Sequence, residues 1–220
     1  SVMQFTEAYS AVTAQIPKVP EFVIDSAFNR AARRFFEETE VHRQTFTVST
    51  VKGQKTYTFT PSLGSSGVVI SVTHKVYNVI YYENSTAKKL RPTTNKFATQ
   101  TFGPSLYELN TPQYFNHTFG NSIDLFQTPQ LGVSNALSIE VCVKPTRAAT
   151  EIPDDLAERY FEGLVAGTVS EIARVPDTEF SNPKLFPVAE DYFISAIRDA
   201  RAEATGADKN VPRKVRYGGY

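Results

Sequence analysis

EFVIDSAFNRAARRFFEETEVHRQTFTVSTV, residues 21–51, changes its hydrophobic period once, and the fold class turns on that change. Ile24, Ala27, Phe28, Ala31 and Phe35 recur at helical spacing, widened by Val23, Ala32 and Phe36. Asp25, Ser26, Asn29, Arg30, Arg33, Arg34, Glu37 and Glu38 take the other side. Apolar residues every three or four positions make one stripe on an α-helix. From Thr45 the period is two: Phe46, Val48 and Thr50 alternate with Thr47, Ser49 and Val51. Lys52-Gly53-Gln54 then offers a turn, and Tyr57 and Phe59 resume the alternation. That pattern predicts a β-hairpin after the helix.

Upstream, Pro17 and Pro20 set off a short first segment, residues 5–16. Downstream, residues 63–67 break the chain before the β-branched run 68–73, and further short strands are predicted at 75–82, 106–109, 113–119, 122–126 and 137–144. After Lys144-Pro145 the helical period returns. Pro153-Asp154-Asp155 opens a helix whose stripe is Leu156, Tyr160, Phe161, Leu164, Val165, Thr168 and Ile172, ended by Pro176. A last helix follows Asn182-Pro183, with Ala189, Tyr192, Phe193, Ala196, Ile197 and Ala200 inward and Gly206 at its C-cap. The expected fold class is α+β: a helical bundle from 1–44 and 151–207, an inserted antiparallel β-sandwich or small barrel over 45–150, and an extended C-terminal arm over 208–220.

The chain has 220 residues, with 23 Lys and Arg against 23 Asp and Glu. A formal net charge of zero argues against a protein that coats nucleic acid by bulk positive charge. By segment the balance is different. Residues 1–44 hold five basic and six acidic side chains, 45–150 nine and four, 151–207 five and twelve, and 208–220 four and one. The zero is a cancellation between blocks, and opposite charge blocks steer association and select register.

Signals of catalysis are absent from the sequence. It has no P-loop, G-x-G-x-x-G, H-E-x-x-H or G-x-S-x-G, and Gly64-Ser65-Ser66-Gly67 has the wrong spacing for a nucleophile elbow. The single cysteine, Cys142, sits in the apolar run 139–143 and reads as a small core residue; it excludes an internal disulfide and any multi-cysteine metal site. His42, His74 and His117 are scattered. No enzyme, cofactor or metal is expected. No stretch approaches the ~20 apolar residues of a membrane span, and residues 1–4 lack a signal peptide's basic region and apolar core, so a soluble protein of a reducing compartment, without a membrane partner, is expected.

Two features point to contacts between helices or subunits, and a third to a conduit. Arg30, Arg33 and Arg34 form a basic cluster expected to meet a protein carboxylate rather than a phosphate, at a subunit interface. Gly163 and Gly167 predict a tight helix crossing, with a subunit contact as the alternative. The acidic block suits a DNA conduit, because carboxylates repel phosphates; Glu158, Glu162, Glu171, Glu190 and Asp191 are the candidate channel-lining residues.

The order of several segments resembles the head-to-tail adaptor proteins of tailed bacteriophages, the connector or tail tubular A-like family. These segments are the helix from Ala27 to Thr39 leading to Gly53 and Tyr57, then Pro112-Gln113-Tyr114-Phe115, Ile123-Asp124-Leu125-Phe126, Val141-Cys142-Val143-Lys144-Pro145-Thr146 and Ile152-Pro153-Asp154-Asp155-Leu156. The resemblance implies a homo-oligomeric ring, usually dodecameric, beneath the portal protein at the head–tail junction of the virion, assembled in the cytoplasm of the bacterial host. It implies a next tail or nozzle protein and tail fibres as further partners, and DNA passing through without specific binding. It also implies that the C-terminal arm docks on the portal, with Lys209, Arg213, Lys214, Arg216, Tyr217 and Tyr220 as anchors. Residues 84–103 depart from the family pattern. The alternative is another phage neck or tail component, such as a tail-completion or fibre-attachment adaptor.

Overall fold

In the structure, a computed structural model that describes residues 1–61, 64–67 and 69–207, the two periods of residues 21–51 become separate elements. In chain order the elements are β1 (Val2–Gln4), a 3-10 turn (Phe5–Ala8), α1 (Tyr9–Thr13), α2 (Glu21–Thr39), β2 (Arg43–Val48), β3 (Thr56–Thr58), β4 (Ser71–Glu83), β5 (Thr86–Lys89), β6 (Arg91–Pro92) and α3 (Asn95–Phe102). A second 3-10 turn (Gly103–Tyr107) is followed by β7 (Tyr114–Asn116), β8 (Ser122–Phe126), β9 (Leu137–Pro145), β10 (Glu151–Pro153), α4 (Asp154–Ala173) and α5 (Leu185–Ala207). The fold class is α+β, and neither large sheet closes into a barrel. The chain divides into a β unit, Ser1–Glu7 with His42–Ala157, and a helical unit, Ala8–Val41 with Glu158 onward. The arm over 208–220 lies outside the described residues, as do Leu63 and Val68.

In the β unit, one sheet has the order β2-β9-β4-β5 and the other β3-β8-β7-β6. Every pairing is antiparallel except β6 with β7. Alternation on β9 sends Leu137, Ile139, Val141 and Val143 into a core shared with Val79 and Tyr81 of the same sheet and Tyr57, Phe115, Ile123 and Leu125 of the other. Burying a large apolar side chain contributes about 1.5–3 kcal/mol, so this interlayer is what joins the sheets. Cys142 is buried on the opposite face of β9.

The predicted hairpin does not form. β2 pairs with β9 and β3 with β8, in different sheets. The connection crosses between the sheets, held where Thr50 N–H donates to the Val133 carbonyl and Gly53 N–H to the Pro129 carbonyl, both at 2.9 Å. Phe46 and Phe59 then stack with centroids 5.0 Å apart. A two-residue period tells which face is buried and nothing about which strand is the partner. Likewise the runs 68–73 and 75–82 are not two strands: Ser71–Glu83 is one strand that absorbs two irregularities, between Thr73 and Lys75 and between Val76 and Asn78. Residues 106–109 are not a strand either. The 3-10 turn ends there, and Leu109 keeps only an isolated bridge to Thr128. The strand predicted at 113–119 shrinks to Tyr114–Asn116.

Residues 84–103 are ordered by local chemistry. Asn84 and Ser85 both take left-handed backbone, φ 48° and 64°, which closes β4 onto β5 through a two-residue turn. The Thr94 side chain then caps α3 by accepting from the Phe97 N–H, and Ala98 packs with Leu106 and Phe126. A separate two-stranded sheet pairs β1 with β10. There the Glu151 carboxylate is buried, and it accepts from Gln4 Nε2 and from the Ser65 N–H (2.6 Å) and hydroxyl (2.8 Å).

In the helical unit, α2 buries Ile24, Ala27, Phe28, Ala31, Ala32, Phe35 and Phe36, the stripe its sequence predicts. Phe35 meets Tyr160 of α4 and Phe193 of α5, with ring centroids 5.1 and 6.3 Å away. The Asn182 side-chain oxygen accepts from the Leu185 N–H at 3.0 Å and so caps the start of α5. Gly206 lies inside the last turn of α5 rather than beyond it, and Tyr192 is 56% exposed rather than inward.

Gly163 and Gly167 let α5 lie against α4. A Cβ on Gly163 would fall 2.8 Å from the Ala196 Cβ, and one on Gly167 2.6 Å from the Phe193 ring. Phe193 is buried and has no space to yield. Gly167→Val is therefore expected to destabilise the protein by about 2 kcal/mol: overpacking a filled core costs typically ~1–3 kcal/mol, and the gain in helix propensity offsets less than ~1 kcal/mol. The check is the urea midpoint, and an unchanged midpoint defeats the expectation.

Candidate functional site

The charged side chains of the helical unit converge where α2 crosses α4 and α5. Arg30 Nε donates to Glu171 Oε2 at 2.9 Å, and Arg174 Nη2 reaches the same oxygen at 2.8 Å. One turn on, Arg34 Nη1 donates to Glu190 Oε1 at 2.8 Å and its Nε to Glu38 at 2.9 Å. Ser170 Oγ donates to the other Glu190 oxygen at 2.6 Å. The Arg34 guanidinium also lies 5.2 Å from the centre of the Phe193 ring. Burial alone raises the Glu190 pKa, but the hydrogen bonds from Ser170 and Arg34 and the Arg34 charge outweigh it and hold the carboxyl below its usual range. Burial alone lowers the Arg34 pKa, and its bonds to Glu190 and Glu38 reverse that. On the other side of α2, Tyr9 donates to Asp25 Oδ1 at 2.7 Å, and burial with that bond pushes the phenol up to about 12.

Beside this network runs a groove between α4 and α5. One part, of about 340 Å³, is lined by Tyr160, Phe161, Gly163 and Ala196 under the carboxylates of Glu158, Glu162, Asp199 and Glu203, the last paired with Arg159 of the same rim at 3.0 Å. It continues into a second cleft of about 290 Å³ over Val165, Ala166 and Ala189, and Glu162 and Tyr192 belong to both. The floor is apolar where Phe161, Gly163, Ala196, Val165, Ala166 and Ala189 face the groove. The rim is acidic because the outward positions of α4 and α5 carry the negative block. Val188, 66% exposed, and Tyr192 extend the apolar surface along α5. Such a surface offers area, shape and charge, which are the means of protein recognition.

The site residues named from sequence fall into three places. Arg30 and Arg34 engage carboxylates of their own chain, and Arg33 lies half-buried on the same helix. Glu171 and Glu190 belong to that network, which leaves Glu158, Glu162 and Asp191 as the exposed acids of the five. The arm anchors lie outside the described residues. Sequence reasoning missed the groove and assigned Tyr192 inward. A signal existed: Leu185, Val188, Ala189, Tyr192, Phe193, Ala196, Ile197 and Ala200 make an apolar face wider than one neighbouring helix covers.

No helix among the described residues is long and apolar enough to cross a membrane, and no group of three or more His, Cys, Asp or Glu among them gathers to hold a metal. No curated protein matches the chain. The family profile described as SU10 adaptor protein matches residues 3–216, nearly the whole sequence and both units. The chain belongs to the SU10 adaptor protein family, which makes it an adaptor-type protein of a bacteriophage virion.

Proposed function

We propose that the chain is the head-to-tail adaptor of a tailed phage, of the connector or tail tubular A-like kind, assembled as a ring beneath the portal at the head–tail junction. The ring completes the neck, provides the platform for the next tail or nozzle protein, and leaves a channel through which DNA passes. The observation that carries this reading is the family match over residues 3–216. The acidic block of the helical unit supports the channel: Asp191, an exposed carboxylate outside the α4–α5 groove, repels a passing phosphate backbone. Arg30 and Arg34 bind carboxylates of their own chain, so their part in the ring is to hold α2, α4 and α5 together within each copy.

The test is to incubate the full chain with purified portal protein and measure mass by light scattering. A ring-sized complex with portal is expected. Binding only to a fibre or nozzle protein would move the chain to another place in the neck. Deleting 208–220 is expected to leave thermal stability unchanged, since that segment carries no apolar stripe, and to weaken portal binding by about tenfold or more, through loss of its cations and tyrosines. Undiminished portal affinity would remove the arm from the interface.

A further inference from the structure

The turn that follows β7 holds an aromatic ring out in solvent. Phe119 is 79% exposed, yet the backbone around it is fixed from both sides. A His117 ring nitrogen lies 2.9 Å from the Gly120 carbonyl oxygen, and Asn121 Oδ1 accepts from both the N–H and the hydroxyl of Thr73 at 2.9 Å. The Asn121 carbonyl accepts from the Phe59 N–H at 3.0 Å, and Gly120 supplies the left-handed φ of 76° that the turn needs. Phe119 is absent from the buried core of the β unit, which is built by other residues. On a pinned turn it loses little further freedom on binding, which is the property of an interface anchor. Beside it a cleft of about 520 Å³ is lined by Lys75, Lys144, His74 and His117. The anchor therefore stands in a basic collar.

The α4–α5 groove has the opposite features: a hollow with an apolar floor where the turn has a ring, and a net-acidic rim, Glu158, Glu162 and Asp199 beside the Arg159–Glu203 pair, where the turn has lysines. We propose that a second copy of this chain occupies that groove, inserting Phe119 onto its apolar floor and bringing Lys75 and Lys144 against the carboxylates of its rim. The two surfaces differ, so the contact is heterologous: each copy offers its turn to one neighbour and its groove to the other. A chain of such contacts closes into a ring when the rotation per copy divides the circle. This inference rests on the ring proposed above and names the faces that build it.

The experiment is sedimentation velocity on the full-length chain over a range of concentrations, alone and with portal present. Three variants are compared with the wild type: Phe119→Ala, Glu162→Lys, and Glu162→Lys combined with Lys144→Glu. Phe119→Ala is expected to keep the wild-type melting temperature and to raise the concentration of half-assembly by about tenfold or more. Glu162→Lys is expected to weaken assembly as well, with the double variant recovering part of the loss, because both faces are on every copy. Assembly of Phe119→Ala at wild-type concentrations overturns the face assignment and leaves the ring reading standing. A wild type that stays monomeric with and without portal overturns the ring itself. Loss of portal capture by Phe119→Ala without any change in self-association gives the ring to the portal contact instead and overturns the pairing.

Discussion

Replacing Phe35 with alanine is expected to destabilise the protein by about 3–5 kcal/mol, the usual range for removing a buried phenylalanine. Phe35 is fully buried at the point where three helices meet. It stands edge-on to Phe36 at 5.6 Å, with Tyr160 and Phe193 against its other sides. The surrounding helices cannot collapse into the space. The Arg30–Glu171 and Arg34–Glu190 bridges fix α2 in place, and the Gly163 and Gly167 contacts already hold α4 and α5 at close approach. The cost therefore includes the cavity as well as the lost transfer energy. Urea unfolding followed by circular dichroism reads it, and a midpoint within about 0.5 kcal/mol of wild type would mean that Phe35 is not central to the bundle. Phe35→Leu, which fills most of the space, is expected to cost less than half as much.

Acidification from pH 7 to pH 4 is expected to remove about 3 kcal/mol of stability through His42 alone. The imidazole is only 8% exposed, and Gln44 Nε2 lies 3.0 Å from its Nε2. Burial pushes its pKa from 6.5 down to about 4, and the Asp155 carboxylate recovers only part of that shift. Between those two values the unfolded chain binds a proton that the folded chain refuses. The contribution is thus complete above 6.5 and is lost as the pH falls toward 4. Subtracting the pH profile of His42→Gln from that of the wild type isolates the effect. Parallel profiles across that window would show that His42 titrates at its ordinary value.

What could be read from the sequence follows from the range of each interaction. The stripe on α2 and the start of α4 at Asp154-Asp155 are local and came out as the structure has them. The partner of β2 is β9, almost a hundred residues further along the chain, and no two-residue period contains that information. The turn at Asn84-Ser85 and the cap at Thr94 were legible in principle, since both depend on the chemistry of one or two residues; the polar composition of the segment hid them. For the candidate site, the block charges showed that α4 and α5 carry an acid face. They did not show that Glu171 and Glu190 would be neutralised by Arg30 and Arg34, which needs the distance between helices 141 and 156 residues apart in sequence.

Those separations also set an order of events on the ribosome. The β unit closes when Gln4 meets Glu151, 147 residues later, so it can be complete as soon as Ala157 has emerged. α2 is made early but has no α4 or α5 to cover its apolar stripe until the last third of the chain is synthesised. During that interval its phenylalanines are exposed to anything hydrophobic nearby, including the same helix on a neighbouring nascent chain. Slower elongation over residues 158–207 is therefore expected to lengthen that exposure and lower the yield of folded subunit in a recombinant host.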